Sequence, residues 1–317
     1  MSWRPNSSAE TAAARARMLR AARTFFETRQ VLEVNTPGLS SCTSTDPNIH
    51  SIIAQLSDRK MYLHTSPEHF MKRLLAADYP DIFQICSVYR DGEAGRYHLP
   101  EFTMIEWYRR GFELQTMMQE TIDLVTEVFT RKKLTLPPRF ITYAGAFDEA
   151  LSLDPVLADI DTLARSMDAD QALVDSLGDD RDAWLDLAMT TRIAATFSPD
   201  RLTLVYHYPA SQAALARLCP DDDKVADRFE LYCGAIELAN GFVELTDANE
   251  QEKRFESEQE DRKSRGLEAC EIDDALIEAL RSGMPPAAGV ALGLDRLLMI
   301  DEGKDDIRSV TTFTPGA

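Results

Sequence analysis

The chain has 317 residues, of which 44% are apolar and 27% charged, so it is long enough to bury a full core as a globular protein. Its 34 basic and 53 acidic residues give a net charge of −19, which argues against a broad basic face for nucleic acid. The N-terminus lacks the apolar run of a signal peptide and no stretch is long enough to span a membrane, so we expect a cytoplasmic protein.

The first part of the chain predicts helices separated by short strands. The predicted elements are a helix over residues 8–30, a strand at 31–34, a hairpin of residues 51–55 with 60–64, and a helix that begins at Ser66-Pro67-Glu68. Ser7 and Glu10 have the spacing of a capping box at the start of the first helix. Extended segments at residues 82–90 and 101–109 follow, and an amphipathic helix runs from Leu114 to Phe129.

The second part begins with a mostly helical insertion near residues 142–200 and then returns to strands. The predicted elements are strands at 203–208, 229–237 and 241–246, helices near 250–266 and 273–282, a strand at 287–291, and a helix from Gly293. Helices and strands segregate without regular βαβ alternation, which favours an α+β fold with a largely antiparallel sheet flanked by helices. We expect a single domain over residues 1–317.

Two arginines stand beside features that suit the two ends of a triphosphate. Arg90 ends a predicted strand, and Phe102 lies on the returning strand, where its ring could stack on a purine. Arg296 lies one turn into the helix that begins at Gly293, near amide groups suited to anions. Taken singly, each arginine is more simply a surface residue. The glycines form no nucleotide-binding fingerprint, so the hypothesis of an ATP site depends on the pair.

Carboxylates recur at intervals of seven residues at Glu230, Glu237 and Glu244. If strands flank turns at Cys233-Gly234 and Asn240-Gly241, these side chains can converge on one cavity. Two of them could then hold Mg²⁺ against a triphosphate, because Mg²⁺ prefers oxygen ligands. The alternative is a row of solvated glutamates at a strand edge.

Further acidic and phenolic groups are present at Glu68, Glu106 and Tyr108. Together with the previous group they exceed what one metal ion needs. The surplus would suit a cationic substrate such as a diamino acid.

Other candidate sites are weaker. The five cysteines are scattered without C-x-x-C spacing, so we expect reduced thiols. Metal-binding spacing is also lacking among His64, His69, His98 and His207. No Ser/His/Asp triad is visible.

Five ordered segments together resemble the catalytic domain of class II aminoacyl-tRNA synthetases, in particular lysyl-tRNA synthetases. Residues 31–37 resemble motif 1, residues 90–108 motif 2 and residues 289–297 motif 3, while residues 65–68 and 234–247 strengthen the lysine-type match. Within that family the chain most resembles a truncated lysyl-type paralogue, and this resemblance implies elongation factor P as the acceptor. Motif 1 begins near residue 31, so we expect no anticodon-binding domain.

The resemblance implies ATP and Mg²⁺ as cofactors and assigns a role to each matching residue. ATP would contact Arg90, Asp91, Gly92, His98, Leu99, Phe102, Glu237, Leu238, Gly293 and Arg296. The Mg²⁺ ligands would be Glu230 and Glu237. The amino acid would contact Ser66, Pro67, Glu68, Glu106, Tyr108, Asn240, Phe242, Glu244 and Ala291. The residues expected to carry catalysis are Arg90, Glu237 and Arg296.

The reaction implied by the resemblance has two steps. The carboxylate of (R)-β-lysine or lysine attacks the α-phosphorus of ATP, which yields an aminoacyl-adenylate and pyrophosphate. The ε-amine of a lysine on elongation factor P then attacks the adenylate and AMP leaves. We expect a homodimer, no tRNA and no membrane partner.

Three positions depart from the usual lysyl-type motifs. The motif 2 glutamate is shifted by one residue to Glu93, and Leu99 stands where asparagine is usual, so the contacts to adenine are open. Ala291 replaces a common motif 3 glycine, and its methyl group is expected to favour β-lysine over α-lysine.

Two other interpretations remain open. The chain could activate an amino acid for another acceptor, including an RNA, or it could be a catalytically silent regulator. The second is disfavoured because the chain carries together Arg90, Glu237, Glu244 and Arg296.

Overall fold

The computed structural model describes residues 3–268 and 270–314 and divides the chain into two compact units. The discontinuous unit comprises residues 1–132 with 244–317, and the continuous unit comprises residues 133–243. That both act as one catalytic domain stays a prediction.

The N-terminal part of the discontinuous unit has nearly the predicted elements. They are α1 (Ala9–Thr28), β1 (Leu32–Glu33), β2 (Leu39–Ser40), β3 (Ile53–Gln55), β4 (Lys60–Leu63), α2 (Glu68–Ala76), β5 (Ile82–Tyr89), β6 (Glu101–Arg110) and α3 (Leu114–Val128). The predicted cap at Ser7 is wrong. Ser8 precedes α1, and its side chain accepts a hydrogen bond from the Thr11 backbone at 3.2 Å.

The continuous unit contains the helices predicted near residues 142–200, followed by strands. Its elements are β7 (Arg139–Thr142), α4 (Tyr143–Leu151), α5 (Ile160–Ser166), α6 (Gln171–Leu177), α7 (Arg181–Ala188), β8 (Leu202–Pro209), β9 (Leu218–Cys219), β10 (Asp222–Cys233) and β11 (Ile236–Val243). Aspartates cap α5, α6 and α7 by accepting from backbone N–H groups. Tyr143, Phe147 and Trp184 are buried in the core of this unit.

The C-terminal part completes the discontinuous unit. Its elements are α8 (Ala248–Ser264), α9 (Asp274–Arg281), β12 (Ala287–Gly293) and α10 (Leu294–Asp301). In the described part of the chain, no helix combines the length and apolar character needed to cross a bilayer. All five cysteines are free, as expected.

The larger sheet of the discontinuous unit has the strand order β1-β5-β6-β12. β1 runs parallel to β5, and the other pairs are antiparallel. Trp107 on β6 is fully buried and its ring lies 5.5 Å from that of Phe26 on α1. Because side chains alternate along a strand, Glu106 and Tyr108 project from the opposite face of β6.

The sheet of the continuous unit has the strand order β11-β10-β8-β7. The predicted turn at Cys233-Gly234 is confirmed, since Gly234 adopts a φ of 58° between β10 and β11. The predicted single strand over residues 229–237 is wrong, because this turn divides it between β10 and β11. The predicted turn at Asn240-Gly241 is wrong, because Asn240 pairs with Glu230 inside the β10–β11 ladder. Once the hairpin closes at Gly234, its register places the Asn-Gly pair within a strand.

Asp301, at the end of α10, caps the chain that leaves α3. Its carboxylate accepts from the backbone N–H groups of Thr130, Arg131 and Lys132 at 2.7–2.9 Å and from the Thr130 hydroxyl at 2.8 Å. The side chain is buried, with 4% of the residue exposed. This interaction fixes the end of α3 against α10.

Replacing Asp301 with alanine should therefore destabilise the protein by about 3 kcal/mol, because buried backbone donors lose a charged acceptor. The free energy of unfolding by urea measures the effect. Asp123→Ala, at an exposed carboxylate that accepts only from Gln119 in the described contacts, is the control and should change stability by less than about 0.5 kcal/mol. Equal losses in both variants would contradict the assignment.

Candidate active site

A buried acidic pocket lies in the discontinuous unit, between the start of α2 and β6. Ser66 and Pro67 precede α2, and the Ser66 hydroxyl accepts from the Glu68 backbone at 3.3 Å. Glu106 is 2% exposed and accepts a hydrogen bond from the Tyr108 hydroxyl at 2.7 Å. The structure thus brings together these predicted substrate residues.

Glu244 joins the same pocket and is paired with a lysine that the sequence interpretation missed. Lys72 Nζ lies 2.7 Å from Glu68 Oε1 and 2.5 Å from Glu244 Oε2, and Lys72 is only 1% exposed. One signal was available in the sequence. Lys72 follows Glu68 by four residues, which places both on one face of the predicted helix.

Burial sets the ionisation of the pocket. It raises the pKa of Glu106 well above its ordinary value, and the neighbouring Glu68 charge raises it further. Burial also raises the pKa of Glu244 to about 8, although the Lys72 ammonium acts to lower it. Burial alone would lower the pKa of Lys72, but Glu244 and Glu68 outweigh it and the net shift is upward. The pocket therefore favours bound cations.

Gly289 and Ala291 lie on β12, which pairs with β6 beside the pocket. A Cβ atom on Gly289 would lie 2.4 Å from Glu244 Oε1 and 2.5 Å from Tyr108 Cε1. Glycine is required because any larger residue would displace one of these groups. Ala291 pairs directly with Glu106 in the β6–β12 ladder, so its methyl group lies beside that carboxylate.

The residues predicted to hold the α-phosphate and adenine lie together, at the end of β5 and the start of β6. The Arg90 guanidinium is 5.2 Å from the Phe102 ring centroid and 3.5 Å from Glu93. Gly92 adopts a φ of 76° and its N–H donates to Asp91 Oδ1, which forms the turn that follows Arg90. The shifted Glu93 therefore lies beside Arg90.

Arg296 lies against the loop that precedes β6. Its Nη2 is 2.6 Å from His98 Nε2, and its Nε donates to the Tyr97 carbonyl at 3.2 Å. Leu99 is 6% exposed, and Gly293 directly precedes α10 without a side-chain cap. Arg296, in the segment that resembles motif 3, thus contacts the loop that precedes β6, and its role at the γ-phosphate stays a prediction.

The predicted metal ligands Glu230 and Glu237 lie in the continuous unit on the β10–β11 hairpin. Glu237 pairs with Tyr232, whereas Asn240 pairs with Glu230. The register skips Leu238, and this bulge places Glu237 on the same face as Asn240. Burial, and next the charge of Glu237, raise the pKa of Glu230, which is consistent with two carboxylates on one face.

Protein donors already engage most of the Glu230 carboxylate. Its Oε2 accepts from the Tyr208 and Tyr232 hydroxyls, and its Oε1 accepts from Arg228 Nη2 at 2.6 Å. A carboxylate offers about four lone-pair positions, so one remains for a metal ion. Glu230 thus fits a metal site as a monodentate ligand, with Glu237 as the second carboxylate.

The remaining predicted residues of the continuous unit surround this carboxylate. Asn240 Oδ1 accepts from Arg228 Nε at 3.3 Å, and Phe242 pairs with Arg228 in the ladder. Leu238 is buried, with 2% exposed. The expected convergence of Glu230 and Glu237 with Glu244 stays a prediction.

A histidine, a cysteine and an aspartate elsewhere in the continuous unit also approach one another. The potential ligand atoms of His207, Cys219 and Asp227 lie within 4.8 Å of one another. Arg217 donates to Asp227 Oδ2 from Nε at 3.0 Å and from Nη2 at 2.7 Å. With three candidate ligands among the described residues, one of them bound twice by a guanidinium, we assign no metal ion to this group.

Comparisons with known proteins agree with the geometry. A family model described as tRNA synthetases class II (D, K and N) matches residues 1–315. A protein of Pseudoalteromonas translucida (strain TAC 125) named elongation factor P–(R)-β-lysine ligase is 43% identical over 319 residues, covering 98% of this chain and 97% of that protein. A protein of the same name from Salmonella arizonae is 41% identical with the same coverage. These similarities confirm the predicted resemblance and fold class.

The contact at Gly289 gives a test of the pocket. Gly289→Ala should destabilise the protein by roughly 1–3 kcal/mol, because the new methyl group collides with Glu244 and Tyr108. Gly95→Ala is the control, since a Cβ atom there meets nothing within 4 Å. Unfolding by urea measures both variants, and a neutral Gly289→Ala would show that the pocket is not closely packed.

Proposed function

Because the chain belongs to the class II tRNA synthetases of the D, K and N group, we propose that it is an ATP-dependent ligase of the elongation factor P–(R)-β-lysine ligase type. It activates (R)-β-lysine, or lysine, as an adenylate and transfers it to the ε-amine of a lysine on elongation factor P. The truncated lysyl-type pattern and the names of the relatives support this acceptor.

The observation that carries the proposal is the buried acidic pocket. Glu106 and Glu244 are each 2% exposed, and buried carboxylates need cationic partners. A diamino acid supplies two ammonium groups. Glu68 is assigned to the amine nearer the substrate carboxylate, and Glu106, Tyr108 and Glu244 are assigned to the distal ammonium.

The arginines provide the nucleotide side of the proposal. Arg90 would hold the α-phosphate while Phe102 stacks on adenine, and the 5.2 Å between guanidinium and ring supports a shared ligand. Arg296 would meet the γ-phosphate after leaving His98. Backbone groups of the loop that carries Asp91, Gly92 and Leu99 would border the base.

Glu230 and Glu237 would hold Mg²⁺. The chemistry supplied by Mg²⁺ at such a site is neutralisation of charge on the phosphate oxygens. Arg228 and the tyrosines at Glu230 keep its carboxylate fixed and leave one lone-pair position open. Asn240 and Phe242 are assigned to the wall of the amino-acid site.

Catalysis in this proposal consists of positioning and electrostatic stabilisation. The substrate carboxylate oxygen bonds to the α-phosphorus, and the bond to the pyrophosphate oxygen breaks. Arg90 offsets the negative charge that develops at that phosphorus. In the second step the acceptor amine bonds to the carbonyl carbon, loses a proton to solvent, and AMP leaves with the bonding electrons.

We further propose a cytoplasmic homodimer that pairs through the motif 1 segment and does not use tRNA. The resemblance of residues 31–37 to motif 1, the segment through which such domains pair, supports the dimer. Sedimentation equilibrium of the wild-type chain tests the dimer.

The proposed reaction predicts pyrophosphate exchange that requires (R)-β-lysine or lysine, followed by transfer to purified elongation factor P and not to tRNA. Arg90→Ala should lower the exchange rate by about 100-fold or more, because a phosphate-binding charge is lost. Arg281→Ala is the matched control, since Arg281 forms exposed ion pairs with Glu252 and Glu278. It should retain wild-type exchange.

The outcomes separate the alternatives. Exchange without transfer to elongation factor P, but with transfer to an RNA, would identify a different acceptor. Absence of exchange with either amino acid would favour a silent regulator and refute the proposal.

Ala291 gives a prediction about substrate choice. Ala291→Gly should lower the preference for β-lysine over α-lysine by about threefold to tenfold, since removal of one methyl group relaxes the wall beside Glu106. The ratio of kcat/KM values for the two amino acids in pyrophosphate exchange measures the preference. An unchanged ratio would contradict a role for this methyl group.

A further inference from the structure

The acidic pocket contains a cation that belongs to the chain itself. Lys72 is 1% exposed, and its ammonium bridges Glu68 on α2 and Glu244, at 2.7 Å and 2.5 Å respectively. Lys72 therefore lies among the residues proposed to bind the substrate amines, although it carries the same charge as those amines.

Two glutamates of the pocket each have one oxygen held and one oxygen available. Tyr108 donates to Glu106 Oε1 at 2.7 Å, while Glu106 Oε2 is buried without a hydrogen-bond partner among the described residues. Lys72 holds Glu244 Oε2, while Glu244 Oε1 is likewise buried without a hydrogen-bond partner in the described parts of the chain. Buried unpaired acceptors are costly, so these two oxygens mark positions for ligand donors.

Gly289 supports the same geometry from the other side. Its missing side chain leaves room for Glu244 Oε1, which lies 2.4 Å from where a Cβ atom would be. Lys72 and Gly289 together restrict Glu244 to one orientation. A surface ion pair would not need such a constraint.

We propose that Lys72 is a positioning and specificity residue for the amino-acid substrate. It favours the ionised form of Glu244, orients the Glu244 carboxylate, and adjusts the pocket charge to that of a diamino acid. This inference rests on the proposed function and names a residue that acts through Glu244 without touching the substrate.

The charge balance gives the physical reason. Three carboxylates, at Glu68, Glu106 and Glu244, with the single ammonium of Lys72 give a formal charge of −2 when all are ionised. The two ammonium groups of lysine or β-lysine neutralise that charge. Without Lys72 the pocket would hold three carboxylates against two substrate ammonium groups. The carboxylate left without a cation would then take up a proton, because the site is buried.

The ionisation of Glu244 links the proposal to pH. Its pKa lies near 8 because burial raises it more than Lys72 lowers it. The groups that face it are Glu68 and Lys72 on α2 and Glu106 and Tyr108 on β6, with Cys86 on β5 beside Glu106. Loss of Lys72 would raise the pKa of Glu244 further. The ionised form that binds an ammonium would then be populated only at higher pH.

The test uses Lys72→Met in pyrophosphate exchange, with β-lysine and with an analogue of β-lysine that lacks the distal amine. At about pH 7 the KM for β-lysine should rise by roughly 10- to 100-fold, with the KM for ATP unchanged. The preference for β-lysine over the analogue should fall by about tenfold. The KM for β-lysine should recover only above about pH 8, at a higher pH than in the wild type, because the pKa of Glu244 is about 8 with Lys72 present and rises without it.

Lys72→Arg preserves the charge and should keep the wild-type pH profile and the preference for the diamino acid, even if its KM changes. Lys60→Met is the matched control, because Lys60 forms an exposed ion pair with Glu268 at 2.6 Å. It should leave every constant unchanged. Circular dichroism and the KM for ATP establish that each variant is folded.

The outcomes distinguish this inference from the proposed function. If the wild-type protein catalyses exchange but Lys72→Met shows the same pH profile and the same substrate preference as the wild type, the role of Lys72 alone is overturned. If Lys72→Met does not fold, a Lys72→Arg variant with an altered pH profile and lost preference would also overturn it. Absence of exchange in the wild type would refute the proposed function itself.

Discussion

Two buried carboxylates and a half-buried third, grouped around one ammonium, are the constraint on which the pocket depends. Glu106 and Glu244 are almost inaccessible, and burial raises the pKa of both carboxyl groups, while Tyr108 and Lys72 each contact one oxygen. Tight packing at Gly289 then allows a single orientation of Glu244. A site with that charge and those acceptors would bind a small dication better than a neutral molecule, because the ligand would supply charge partners for the carboxylates.

The hairpin of the continuous unit also contains a carboxylate, that of Glu230, held by internal hydrogen-bond donors. Glu230 is fixed by two tyrosine hydroxyls and by Arg228, whose guanidinium also lies 4.5 Å from the Tyr208 ring. Most of the carboxylate is satisfied internally, and a limited acceptor capacity remains for a metal ion. In both units, internal donors fix one part of a carboxylate and leave another part available, which is how a rigid site is prepared before its ligand binds.

Local patterns predicted most helices and strands because their causes are local. Apolar periodicity placed α1 and α3, and the loop after Arg90 was identified from the strands on either side of it. The failures also have local causes. Asn240-Gly241 is a strong turn signal, yet the positive φ of Gly234 closes the hairpin first, and strand pairing then overrides the later signal. Ser7 and Ser8 are adjacent residues of the same type. The helix begins at Ala9, one residue later than predicted, so Ser8 is the N-cap.

The sequence by itself determined the α+β class, the synthetase motifs and the residue types that bind phosphates and amines, because these depend on composition, order and spacing. Only the tertiary structure decided which groups pair. Lys72 is four residues from Glu68 but far along the chain from Glu244, and nothing in either segment specifies that contact. The pKa of Glu244 was equally beyond the sequence, since burial raises it and burial is a property of the packed chain.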